Sequence, residues 1–99
     1  MDKLSCLNSI HANDKGVSAV SIFKGESSNV TSIQLLENNI LKEHTTKIAA
    51  LLLCVTGKVV YSDENDQTIE LSSSDYITIE PNVIHKLEAL ENSQLILVK

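Results

Sequence analysis

Turn-forming clusters interrupt this 99-residue chain, in its second half at intervals of about ten residues, and short runs rich in valine, isoleucine and threonine lie between them. The breaks fall at Lys24–Asn29, Glu37–Asn39, Thr56–Gly57, Asp63–Asp66, Ser72–Asp75, Pro81–Asn82 and Glu91–Ser93. Asparagine, aspartate, serine and glycine gather there because they tolerate turn geometry. No segment keeps a helical period, so the pattern predicts about eight short strands in an all-β barrel or sandwich. At 10.8 kDa the chain suffices for one core and not two. The whole of 1–99 is therefore read as a single domain.

Strand alternation places side chains on faces. Over Val17–Lys24 it puts Val17, Ala19, Ser21 and Phe23 together. Val30–Leu36 is a second strand. Lys47–Val55 is apolar on both faces, which predicts a central strand covered from both sides. Lys58–Ser62 and Thr68–Leu71 pair as a hairpin around an acidic loop, and Tyr76–Glu80, His85–Leu90 and Gln94–Val98 complete the set. Residues 2–13 admit a helical turn or an edge strand. Counting from His44, alternation puts Thr46, Ile48, Ala50, Leu52 and Cys54 on its face; counting from His85, it adds Leu87 and Ala89. If both faces line one interior, two imidazoles point into an apolar hollow. The orientations of Tyr61 and Tyr76 are left open.

Charge removes several functions. Eight lysines stand against thirteen acids, for a net charge of −5, and there is no arginine. Nucleic-acid binding needs a basic stripe that displaces counterions, and none is present. The missing arginine also removes the bidentate clamp for phosphate or carboxylate, which makes a large anionic substrate less expected, although lysine can still serve. The longest apolar run, Ile48–Val55, is far shorter than the roughly 20 residues of a membrane span. No export leader is visible near Met1, so a cytoplasmic location and free thiols at Cys6 and Cys54 are expected. Asp63-Glu64-Asn65-Asp66 lacks a calcium loop's sixth-position glycine and has Ser74 where the twelfth-position glutamate belongs, so it reads as a solvated hairpin tip. No serine sits in a nucleophile elbow, and three scattered glycines make no phosphate loop. Cys54 and His44, ten residues apart along one extended strand, lie too far apart to form a nucleophile–base pair.

The two histidine segments resemble the motifs of the cupins. Residues 38–57 are similar to the first, G-x5-H-x-H-x3-E-x6-G, through His44 and Gly57; residues 74–89 are similar to the second, G-x5-P-x-G-x2-H-x3-N, through His85. The spacing holds without a gap. Pro81 sits one place after the family's proline, and Asn38, Ser74 and Asn82 fall where glycines usually lie. The resemblance covers roughly residues 30–99. It implies a cupin-like jelly-roll β-barrel, usually a homodimer, with residues 1–16 as an N-terminal extension.

What the resemblance implies about a metal is mostly negative. Cupins that bind one use two histidines and a glutamate of the first motif and the histidine of the second. Carried over, those positions are His44, Thr46, Ala50 and His85. Alanine has no donor atom, and a neutral hydroxyl is a poor ligand for a divalent transition metal. The expectation is a barrel that binds a small molecule with no metal or other cofactor, its pocket lined by His44, Thr46, Ala50, Leu52, Cys54, His85 and Leu87. One alternative is a metal-dependent dioxygenase or isomerase holding a divalent ion through His44 and His85, with a third ligand such as His11 or Cys54. Another is a dimeric interaction module. An outward set, Ala49, Leu51, Leu53 and Val55, points to a homodimer paired through this sheet, unless the segment before Val17 covers it.

Overall fold

The computed structural model describes residues 5–99, with residues 43 and 44 described in their backbone alone. The described residues form one short 3-10 turn, Leu7–Ser9, and nine strands. These are β1 (Val17–Lys24), β2 (Asn29–Leu35), β3 (Ile40–His44), β4 (Ala50–Thr56), β5 (Lys58–Asp63), β6 (Thr68–Ser72), β7 (Tyr76–Ile79), β8 (His85–Ala89) and β9 (Ser93–Val98). They make two antiparallel sheets, one in the order β1-β2-β9-β4-β7 and one in the order β3-β8-β5-β6. The chain passes repeatedly from one sheet to the other, which is the jelly-roll course. Among the described residues no helix is long and apolar enough to cross a membrane.

Side chains from both sheets meet in one core. Ile33, Leu35, Leu52, Cys54, Ile79 and Leu95 come from the larger sheet; Val59, Tyr61, Leu71, Leu87 and Ala89 come from the smaller. Each buried leucine contributes roughly 1.5–3 kcal/mol by leaving water. The turns are tight. Asn38, Ser74 and Asn82 all adopt left-handed backbone angles, with φ of 67°, 76° and 62°. These are the three positions where the cupin motifs carry glycine. Asparagine is the side chain that accepts this conformation most readily, and serine accepts it at a cost.

Eight of the nine strands lie within about three residues of the expected ones; β3 is absent from the expected set, and two further corrections follow. His44 and Cys54 do not lie on one continuous strand. β3 ends at His44 in the smaller sheet, and β4 begins at Ala50 in the larger. The chain bends between them, where the Thr46 hydroxyl donates to the Ile48 carbonyl at 2.7 Å. Ile48 is consequently 54% exposed and not on the interior face. The ten-residue extension used against a Cys54–His44 pair therefore does not apply. Phe23 is the second correction. The β1–β2 register shifts between Ser21 and Phe23, so Phe23 pairs with Val30 while Ser21 pairs with Thr31. This bulge moves Phe23 off the face of Ala19 and Ser21 and leaves it 59% exposed.

The segment before β1 crosses the outer face of the larger sheet. His11 is buried there between two hydroxyls, with Nδ1 2.7 Å from Ser18 Oγ and Nε2 3.0 Å from Ser32 Oγ. Gln34 Nε2 donates to the Ala12 and Lys15 carbonyls at 3.0 and 3.1 Å. Burial, then the nearby Lys15 charge, holds the His11 pKa below its ordinary value. The unfolded chain takes up a proton at this residue near pH 6.5, which the folded chain resists. Stability is therefore at its full value above that pH and declines as the solution is acidified. Melting temperatures compared at pH 7.5 and 5.5 will show the decline, and His11→Asn will flatten it.

Candidate functional site

One row of the smaller sheet carries the polar chemistry. Register pairs His44 with His85 across β3 and β8, and His85 with Asp63 across β8 and β5. All three stand at the strand ends from which the β3–β4, β5–β6 and β7–β8 loops leave, so the row forms the rim of the barrel. The His44 side chain lies outside the described residues; its backbone position faces that of His85.

His85 is 2% exposed. Its Nδ1 is 3.0 Å from the Val83 carbonyl oxygen, which only accepts, so Nδ1 carries the proton. In the neutral ring Nε2 is then the accepting nitrogen. The imidazole stacks on Tyr61, with ring centroids 5.8 Å apart and an interplanar angle of 26°. Tyr61 faces inward at 4% exposure, whereas Tyr76 faces out at 65%.

The Tyr61 hydroxyl donates to Asp63 Oδ2 at 2.8 Å. Asp63 Oδ1 accepts the Asn65 and Gln67 amides at 2.9 and 3.1 Å, which closes the β5–β6 hairpin as aspartate does at a turn. Burial raises the Asp63 pKa. The Tyr61 hydrogen bond, the Gln67 and Asn65 amides and the His85 charge together outweigh it and hold the carboxyl below its usual range. The Tyr61 hydroxyl is pushed up, first by burial and then by Asp63 and Glu80. It thus stays a neutral donor, and Asp63 stays an acceptor.

The acidic loop is more than a solvated tip. Glu64 Oε1 accepts the Ile84 amide at 2.9 Å, and the Ile84 carbonyl accepts the Glu64 amide at 2.9 Å. The β5–β6 and β7–β8 loops are thereby clamped together. Between them opens a polar cavity of about 220 Å³, lined by Tyr61, Asp63, Asn65, Gln67, Thr78, Glu80 and Val83.

The remaining sequence candidates have different surroundings. Ala50, Leu52, Cys54 and Leu87 do face the interior with His85 and Tyr61, but as members of the packed core. Cys54 Sγ lies 3.5 Å from the Thr56 carbonyl oxygen and 3.8 Å from that of Gly57. Burial, with Asp75 and Glu91, pushes this thiol up, so it packs as a small apolar group and not as a thiolate. Thr46 is buried beside the β7–β8 loop, its carbonyl accepting the Asn82 amide at 2.8 Å. His11 belongs to the outer face of the larger sheet, so it does not join His85 as a ligand. Sequence reasoning passed over Asp63, Gln67 and Glu80. The one signal in the sequence is an aspartate opening a hairpin loop two residues after a tyrosine, and the sequence leaves that tyrosine's orientation open.

Solved structures share this architecture. A cupin superfamily protein from Desulfitobacterium hafniense DCB-2 superposes with a TM-score of 0.83 at 16% identity, over 94% of this chain and 84% of that one. An RmlC-like cupin from Desulfovibrio desulfuricans gives 0.82 at 13% identity, over 99% and 94%. The fold is that of the cupins. A conserved Streptococcus pyogenes protein of unknown function shares it too, with a TM-score of 0.81 and 17% identity over 99% of this chain and 86% of that one. No protein-family model and no curated protein matches the sequence.

Of the four positions at which metal-binding cupins carry ligands, two supply none here. Ala50 offers no donor, and the Thr46 hydroxyl is directed at the Ile48 carbonyl. Among the described residues, no three histidine, cysteine, aspartate or glutamate side chains gather as an ion would require.

Proposed function

We propose that this cupin barrel binds a small polar molecule at its mouth, without a tightly bound metal. The observation that carries this reading is the Tyr61–Asp63 pair beneath the cavity, backed by the buried His85 ring. The apolar interior on which the sequence places the pocket is filled by Leu52, Leu87 and their neighbours, so binding shifts outward to the rim. At about 220 Å³ the cavity is below the range for drug-sized ligands. Asp63 and Glu80 favour a ligand that presents hydrogen-bond donors, such as a hydroxyl-rich or amine-bearing compound.

A panel of small sugars and amines, titrated while backbone amide shifts are followed by NMR, tests the reading. Saturable shifts at Tyr61, Asn65, Gln67 and Thr78 are expected. Asp63→Asn should weaken the best binder at least tenfold, about 1.4 kcal/mol, and Tyr61→Phe should weaken it less. A panel that produces no saturable shift at these amides overturns the reading.

A second reading concerns assembly. The segment before β1 covers Ser18, Ser32 and Gln34, but the neighbouring part of the same face carries half-exposed Leu51, Leu53, Ile96 and Val98, flanked by exposed Phe23 and Tyr76. This apolar patch favours an isologous homodimer. Sedimentation at micromolar concentration should give twice the 10.8 kDa chain mass, and Leu53→Lys should give the single chain. A monomeric wild-type protein removes the dimer.

A further inference from the structure

A second cavity opens between the β1–β2 hairpin and the β3–β4 loop, with a volume of about 550 Å³. Lys24, Lys47 and Lys99 line it, along with the hydroxyl-bearing Ser27, Ser28 and Thr45. Three of the chain's eight lysines thus border one groove of a protein whose net charge is −5. Among the described lining residues, the only acidic side chain is that of Glu26.

The backbone explains the gathering. Lys24 pairs with Asn29 in the β1–β2 register. Asn29 in turn exchanges both main-chain bonds with Lys99, at 2.6 and 3.0 Å. Directly paired residues of an antiparallel sheet project to the same side, so Lys24, Asn29 and Lys99 form a row. Lys47 approaches from the β3–β4 loop. Three lysines on one groove present cationic groups that a bound anion complements. On a chain with a net charge of −5, such a cluster of lysines is a place where an anion is attracted.

We propose that this groove binds the anionic group of a small molecule, a carboxylate or a phosphate. The lysines act as point charges, and the serine and threonine hydroxyls supply donors. The site is separate from the cavity at Tyr61 and stands whether or not that cavity binds a ligand.

The test is an amide-shift titration of the full chain with inorganic phosphate and, separately, with succinate, at fixed ionic strength. Saturable shifts are expected across Gly25–Asn29 and Thr45–Ile48, amides distinct from those of the first cavity. The tighter of the two probes identifies the source of the anionic group. The Lys24→Gln, Lys47→Gln double variant should weaken binding at least tenfold, and Glu26→Gln should tighten it about twofold, while Lys86→Gln on β8 leaves it unchanged. Shifts that rise linearly without saturation, or an unchanged affinity in the folded double variant, overturn the proposal.

Discussion

Gly57→Ala should destabilise the barrel by about 3 kcal/mol or more, read from the urea midpoint. Gly57 has a φ of 94°, outside what alanine adopts without strain. A Cβ there would press on Ser93 Oγ, and would lie 2.5 Å from the Asn92 carbonyl oxygen and 2.7 Å from Ser93 Cα. Those atoms have little freedom to move. Ser93 Oγ accepts the Lys58 amide at 3.0 Å and donates to the Glu91 carbonyl at 2.8 Å, so the clash sits at the joint between β5 and β9. Ser74→Gly makes the contrast. Its φ of 76° already suits glycine, and the substitution should stabilise by about 1 kcal/mol. Wild-type stability in Gly57→Ala would contradict the close approach of these two turns.

Ala50→Glu should be nearly as damaging, at about 3 kcal/mol or more, because it places a carboxylate in the core beside Ile79. Combined with Thr46→His, it restores the cupin donor set of three nitrogens and a carboxylate. Zinc should then raise the melting temperature of the double variant, since an ion that binds only the folded chain stabilises it. Thermal melts with zinc and with a chelator check this. A folded double variant indifferent to zinc would show that residues 38–57 do not occupy the first motif's place.

Much of the fold is legible in the sequence because turns and alternation are local. The acidic hairpin and the strands after it follow from residue type and spacing, whereas the left-handed corners at Asn38, Ser74 and Asn82 stand where the resemblance to the cupin motifs puts glycines. The break between β3 and β4 does not. An apolar run from Ile48 to Val55 reads as one strand, and the bend depends on Thr46 and on a contact from Asn82, 36 positions away. Phe23 is misplaced for a similar reason, since a bulge is decided by pairing and leaves no periodic trace. At the candidate site, motif spacing singles out His85. Asp63 was hidden because its role rests on a tyrosine turned inward and on a loop clamped by Glu64 to Ile84, neither of which composition reveals.

Among the described residues the two sheets have four outermost strands, and each is blunted. The outermost strands β1 and β3 both have an irregular register with their neighbours, β7 is only four residues long, and β6, at five, places Glu70 at its middle. Kinked, short or charged margins offer a poor template for another chain's backbone. Despite its richness in valine, isoleucine and leucine, the folded protein should therefore resist growing into fibres at high concentration.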